Sequence, residues 1–235
     1  MTTPPPLSPP SDWIMQQAQN WPDGAKILDF AAGSGRHCCA LDHAFPGRFA
    51  FVAIDRDNAA LAALKARCPQ IKICQFDLED ANIWGFADDG FDIVIVANYL
   101  YRPRLDDLFG LVRPGGYLAY ETFATGNEAF GRPSNPDFLL QNGELAARLP
   151  DDFTILDYFH GRIDQPKPAI IQRLAAKRQA KKMLGQKLLG QKFLSQKLSS
   201  QHVIRHDKYQ RMIKGFAAVV CWAIQTDLTC KNSLI

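Results

Sequence analysis

The chain has 235 residues, 47% of them hydrophobic, and is long enough to bury one sizeable core in a single domain. Its six cysteines form no C-x-x-C pair and follow no secretory leader, so they read as reduced thiols in the cytoplasm and argue against a disulfide-stapled module. The net charge of +3 hides an asymmetry: between Gln172 and Lys214 there are 12 Lys and Arg and a single acid, Asp207, which leaves 15 basic and 23 acidic residues elsewhere.

In chain order, residues 1–10 carry five prolines, too many for a helix or central strand, and are expected to form a flexible leader. ILDFAAGSGRH, Ile27 to His37, then runs from a short apolar stretch through an acid into a glycine-containing turn. Lys26 to Phe30 reads as a buried strand, Gly33 and Gly35 permit a sharp turn, and a helix beginning near Arg36 would aim unpaired N–H groups at a ligand. The next apolar run, FAFVAID, ends in Asp55, about twenty residues past Gly35, where a carboxylate can accept from both hydroxyls of a ribose. This spacing suggests a nucleoside-binding βαβ unit, although the glycine turn alone equally fits a ligand-free strand–turn–helix.

A G-x-G-x-x-G/A dinucleotide fingerprint fits poorly, because counting from Gly33 its third position falls on Cys38. The run Asp29-Phe30-Ala31-Ala32-Gly33-Ser34-Gly35 instead resembles the first motif of class I S-adenosyl-L-methionine-dependent methyltransferases, with Ala31 in place of the usual glycine. IKICQFDLED puts Asp77 and Leu78 just past a third strand. FDIVIVANYLYRP gives a fourth, Phe91 to Val96, ending near Asn98, and LVRPGGYLAYETF gives a Pro-Gly-Gly turn into a fifth. YETFATGNEAFGRPSNPDFLLQNGEL, from Tyr120, resembles a bacterial family of small stand-alone methyltransferases, distantly similar to the tellurite-resistance group.

That resemblance, covering about Ser11 to Arg178, implies an α/β, Rossmann-like, doubly wound sheet of seven mostly parallel strands with an antiparallel edge. Phe153 to Phe159 and Pro168 to Leu174 would supply the last two strands. It implies S-adenosyl-L-methionine as cofactor. Asp29 would orient its amino end, Ala31, Gly33 and Gly35 would pass it by backbone, Asp55 would hold the ribose, and Asp77 and Leu78 the adenine. Asn98 would sit beside the departing methyl, and Asn98-Tyr99 lacks the N-P-P-[YFW] motif of enzymes that methylate exocyclic base nitrogens or glutamine amides.

Acceptor contacts are expected from the polar, aromatic connection Glu121 to Gln141, read as structureless and including Arg132, with Glu121 and Tyr99 as candidate proton acceptors. Structural alternatives stand beside these: a strand-end Glu is commonly a structural acceptor, and Tyr99 can cap the core. No metal is expected, since His37, Cys38 and Cys39 are adjacent on a helix and cannot face one ion. Residues 179–235 read as a basic, poorly ordered tail with a five-residue repeat from Gly185 that makes no apolar stripe. Its apolar run Phe216 to Ile224 is too short to span a membrane. The favoured partner is a small molecule. RNA or protein is the next substrate class; nucleic acid could reach the tail, and a catalytically inactive cofactor sensor and a nicotinamide oxidoreductase are the other classes open. Oligomeric state is not encoded in any motif.

Overall fold

The computed structural model describes residues 6–80, 84 and 90–180; the basic tail expectation, with its repeat, lies outside the described residues. Five strands, β1 (Lys26–Phe30), β2 (Ala50–Asp55), β3 (Lys72–Gln75), β4 (Phe91–Ala97) and β5 (Val112–Phe123), run parallel in the order β3-β2-β1-β4-β5. β7 (Ala169–Arg178) then pairs antiparallel to β5, and β6 (Phe153–Ile163) closes the edge antiparallel to β7. The sheet thus has seven strands, the last two entering as the antiparallel edge. The architecture is a Rossmann-like, doubly wound α/β sheet.

Alternation along the strands divides the core in two. Leu28, Phe30, Val94 and Val96 face one side, under α4 (Leu105–Gly110) and α5 (Glu144–Ala147). Ile27, Ile93 and Ile95 face the other, under α1 (Asp12–Ala18), α2 (Arg36–Ala44) and α3 (Asn58–Arg67). Burial on both faces explains why these strands read as continuous apolar runs. It also leaves only the strand ends for a ligand, and the switch between β1 and β4 is where the parallel order reverses.

Two loops depart from the sequence expectation. Pro114-Gly115-Gly116 lies inside β5, where the β4–β5 register shifts, so it is a bulge and not a turn ahead of the strand. The connection from Glu121 to Gln141 is not structureless. It holds two short 3₁₀ turns, Asn127–Ala129 and Pro136–Phe138, and its ends are tied by Thr125 N–H donating to the Leu140 carbonyl and Leu140 N–H to that of Phe123. Arg102 clamps it further: Nε and Nη2 pair with Glu144 at 2.7 and 2.8 Å, and Nη1 donates to the Asp137 carbonyl at 2.7 Å. The arginine of NYLYRP is therefore a brace for the connection.

Candidate active site

The turn after β1 is built by backbone conformation. Gly35 caps α2 at φ +80°, and a Cβ there would meet Leu64 Cδ1 at 2.5 Å, so glycine is required by both torsion and space. Gly33 has φ +53°, and its N–H donates to Asp55 Oδ2 at 2.7 Å, which locks the turn onto the end of β2. Ala31 holds φ +55° where glycine would be easiest, so the turn keeps its shape at the expense of a strained residue.

Two cavities flank this turn and share Ala31 and Asn98 in their walls. The first, about 590 Å³, is lined by Asp29, Gly33, Ser34, Arg36 and His37. The second, about 260 Å³, is lined by Asp55, Phe76, Asp77, Leu78 and Tyr99. Asp29 is 2% exposed, accepts from Cys38 N–H at 3.1 Å, and is pushed up to about 7 by burial. It rests on the threshold of ionisation, so a cation beside it would favour its charged form. Asp55 uses one lone pair of each oxygen on Gly33 and Asp57 N–H groups, which leaves lone pairs facing the second cavity. Burial also holds the Tyr99 phenol far above its ordinary range; its ring packs edge-on against Phe30, and its carbonyl accepts from Tyr120.

A third cavity, about 320 Å³, opens on the other side of Asn98 and is lined by Glu121, Phe123, Lys167 and Arg173. Asn98 alone belongs to all three. Its φ of +57° turns the chain out of β4 at this junction. Glu121, 7% exposed, is already committed: Arg173 Nε donates to it at 2.5 Å and Ser11 Oγ at 3.0 Å. Arg132 is set apart from the Asn98 junction, in a fourth cavity that shares only Phe123 and Lys167 with the third. Gly35 shapes the turn from behind and lines none of the three.

Four contributors escaped the sequence reading. The segment from Pro6 to Ser11, whose residues 6–10 are expected from the sequence to belong to a flexible leader, runs as a strap across the site: Pro6, Leu7 and Ser8 line the first cavity, Pro9, Pro10 and Ser11 the third. Ser11 N–H donates to His37 Nε2 at 3.2 Å, so that nitrogen is the unprotonated one, and burial holds His37 down to about 3. Arg36, the residue after Gly35, lines both the first and third cavities and donates to the Pro9 carbonyl at 3.4 Å. Arg173 could have been flagged as a charge inside a mostly apolar strand, AIIQRLA, and Lys167 had no signal beyond its neighbouring prolines.

Among the described residues no group of three or more His, Cys, Asp or Glu could hold a metal ion, and no helix is long and apolar enough to cross a membrane.

The fold defines the class: a class I, S-adenosyl-L-methionine-dependent methyltransferase fold, here with a cleft at the β1–β4 switch. Residues 27–116 match the family model described as a methyltransferase domain, which agrees with S-adenosyl-L-methionine as the cofactor. By sequence the chain matches no curated relative. Among solved structures it is similar to TehB from Haemophilus influenzae, with 18% identity, a TM-score of 0.56, and coverage of 71% of this chain and 61% of that one. The chain therefore spans less than two thirds of TehB. It is also similar to a SAM-dependent methyltransferase from Methanosarcina mazei, with 16% identity, a TM-score of 0.54, and coverage of 71% and 98%. The [4+2]-cyclase SpnF shares the fold too, at 14% identity and a TM-score of 0.54, covering 72% and 80%. These likenesses speak to the fold alone.

Proposed function

We propose that the protein transfers a methyl group from S-adenosyl-L-methionine to a small-molecule acceptor. The carrying observation is the position of Asn98, which walls both halves of the cofactor cleft and the cavity beyond it. Asp29 would face the ammonium of the methionine moiety, Gly33 the chain between, Asp55 the ribose hydroxyls, and Asp77 and Leu78 the adenine. The methyl would then point past Asn98 into the third cavity. A nucleophile there attacks the methyl carbon with its lone pair as the carbon–sulfur bond breaks, the electrons of that bond passing to sulfur. Alignment and exclusion of water supply most of the rate, and the strap from Pro6 to Ser11 supports both.

If the nucleophile carries a proton, Glu121 accepts it only by loosening its pair with Arg173, and Tyr99 lies on the adenosine side of the junction. Both are therefore weaker bases here than their strand-end positions suggest. A small acceptor is favoured by the size of the third cavity. The free thiols of Cys38, Cys39, Cys68 and Cys74 support a cytoplasmic, reducing setting.

The test is transfer of label from isotopic S-adenosyl-L-methionine into a size-fractionated cell extract. Label in the small-molecule fraction supports the proposal, and label in RNA or protein would overturn its acceptor class. Calorimetric binding of S-adenosylhomocysteine with no transfer would favour a cofactor-sensing protein.

A further inference from the structure

The acceptor side of the site is unevenly charged. In the third cavity Arg173 is paired with Glu121 at 2.5 Å. Lys167, in the connection between β6 and β7, lines the same cavity and has no hydrogen-bond or ion-pair partner among the described residues. It also lines the adjoining fourth cavity, about 550 Å³, together with Phe123, Arg132, Asn135 and Phe138. Arg132 likewise has no partner among the described residues, and no carboxylate lines this cavity. Two cations sharing one unopposed wall give it a positive potential that an anion relieves and an ammonium worsens. Beside them the Phe138 ring is left 52% exposed, an aromatic surface next to a charged one.

We propose that the methyl acceptor is an anionic small molecule with an apolar or aromatic body. Its carboxylate or phosphate is held by Lys167 and Arg132, its body lies against Phe123 and Phe138, and its nucleophile reaches Asn98 through the third cavity. The reactive end of this assignment rests on the methyl-transfer reading; the anion site does not. Both anions bind the same cations by charge-assisted hydrogen bonds, with Arg132 able to engage two oxygens at once.

Calorimetry on the full chain, saturated with S-adenosylhomocysteine, tests it with four probes: benzoate, phenyl phosphate, benzamide and benzylamine. Benzoate or phenyl phosphate should bind at least about tenfold tighter than benzamide, the tighter of the two naming the anion, and salt should weaken it. Lys167→Gln and Arg132→Gln should each lower anion affinity about threefold or more while leaving benzamide unchanged, and Lys167→Arg should restore it. Equal binding of benzoate and benzamide, preference for benzylamine, or indifference to both Gln variants would overturn the proposal. Displacement of benzoate by a short single-stranded RNA, itself weakened by Lys167→Gln, would overturn it in favour of a nucleic-acid acceptor. Binding of S-adenosylhomocysteine, followed in the same samples, reports separately on the cofactor reading.

Discussion

Ala31 and Asn98 are the two non-glycine residues with left-handed backbone torsions among the described residues, at φ +55° and +57°, and they directly follow the adjacent strands β1 and β4. Both wall the two cavities that flank the turn after β1. Asn adopts this region readily, so the strain falls on Ala31, at the turn after β1. For Ala31 a left-handed torsion costs about 1–2 kcal/mol, against about 0.5–1 kcal/mol of extra backbone entropy that glycine would lose. Ala31→Gly should therefore stabilise the fold by up to about 1 kcal/mol in denaturant titration and leave affinity for S-adenosylhomocysteine unchanged. Ala31→Val, with a branched Cβ in the same torsion, should destabilise by more than about 1 kcal/mol.

Asp55 carries two loads, the turn at Gly33 and the open lone pairs toward the second cavity. Asp55→Ala should weaken S-adenosylhomocysteine by about 1.5–3 kcal/mol through lost charge-assisted hydrogen bonds. Calorimetry beside an unfolding curve separates the two loads: undiminished affinity in a folded variant would remove Asp55 from the ribose site.

Asp29 and His37 should give opposing pH dependences. Asp29, raised to about 7, binds a proton in the folded state that the unfolded chain releases above about 4, so it lowers stability as pH rises from about 4 to 7. His37, lowered to about 3, is neutral in the folded state while the unfolded chain takes a proton below about 6.5, so it lowers stability as pH falls from there toward 3. Between about pH 4 and 6.5 the two slopes cancel. Asp29→Asn should expose a stability that rises with pH by up to about 1.4 kcal/mol per unit, and His37→Gln one that falls. Identical stability profiles in both variants and the parent would refute the linkage. Because a cofactor ammonium favours ionised Asp29, binding of S-adenosylhomocysteine near about pH 6.5 should also release a proton, seen as a buffer-dependent enthalpy.

The Glu121–Arg173 pair ties β5 to β7 beside the third cavity. Glu121→Gln should cost about 1–3 kcal/mol of stability by leaving Arg173 half-buried without its partner. Adding Arg173→Met should recover part of that loss, and a double-mutant cycle measures the coupling. A loss of turnover with no change in stability would instead mark Glu121 as a working base.

β7 ends at Arg178, which pairs with Asp152 at 2.7 Å, and Gln179 N–H donates to the Asp152 carbonyl; we propose that the domain ends there. A chain cut after Ala180 should fold, bind S-adenosylhomocysteine, and melt within about 5 °C of the full chain. Collapse of the truncated chain would show that the basic tail completes the fold.

What the sequence reveals and what it hides follow from contact range. β1, its glycine turn and α2 lie within nineteen consecutive residues, and Asp55 ends the very next strand, so their periodicity and punctuation carry the reading. Strands buried on both faces also announce themselves as unbroken apolar runs. Hidden instead were contacts between distant segments: Ser11 with Glu121 across 110 positions, and Arg173 with Glu121 across 52. Proline content correctly excludes helix for residues 6–10, yet it is silent on whether an extended segment finds a groove, and Leu7 finds one against the core. Arg132 was read from its loop, whereas its separation from Asn98 depends on how the Arg102 brace folds that loop.

The strap from Pro6 to Ser11 walls both the first and the third cavity. On the methyl-transfer reading, the strap would serve both cavities as one doorway latched by Ser11, which is hydrogen-bonded to His37 and Glu121. A chain beginning at Ser11, or carrying Ser11→Ala, should release S-adenosylhomocysteine several-fold faster in stopped-flow while its association rate rises as well; an unchanged release rate would mean that the doorway stands open.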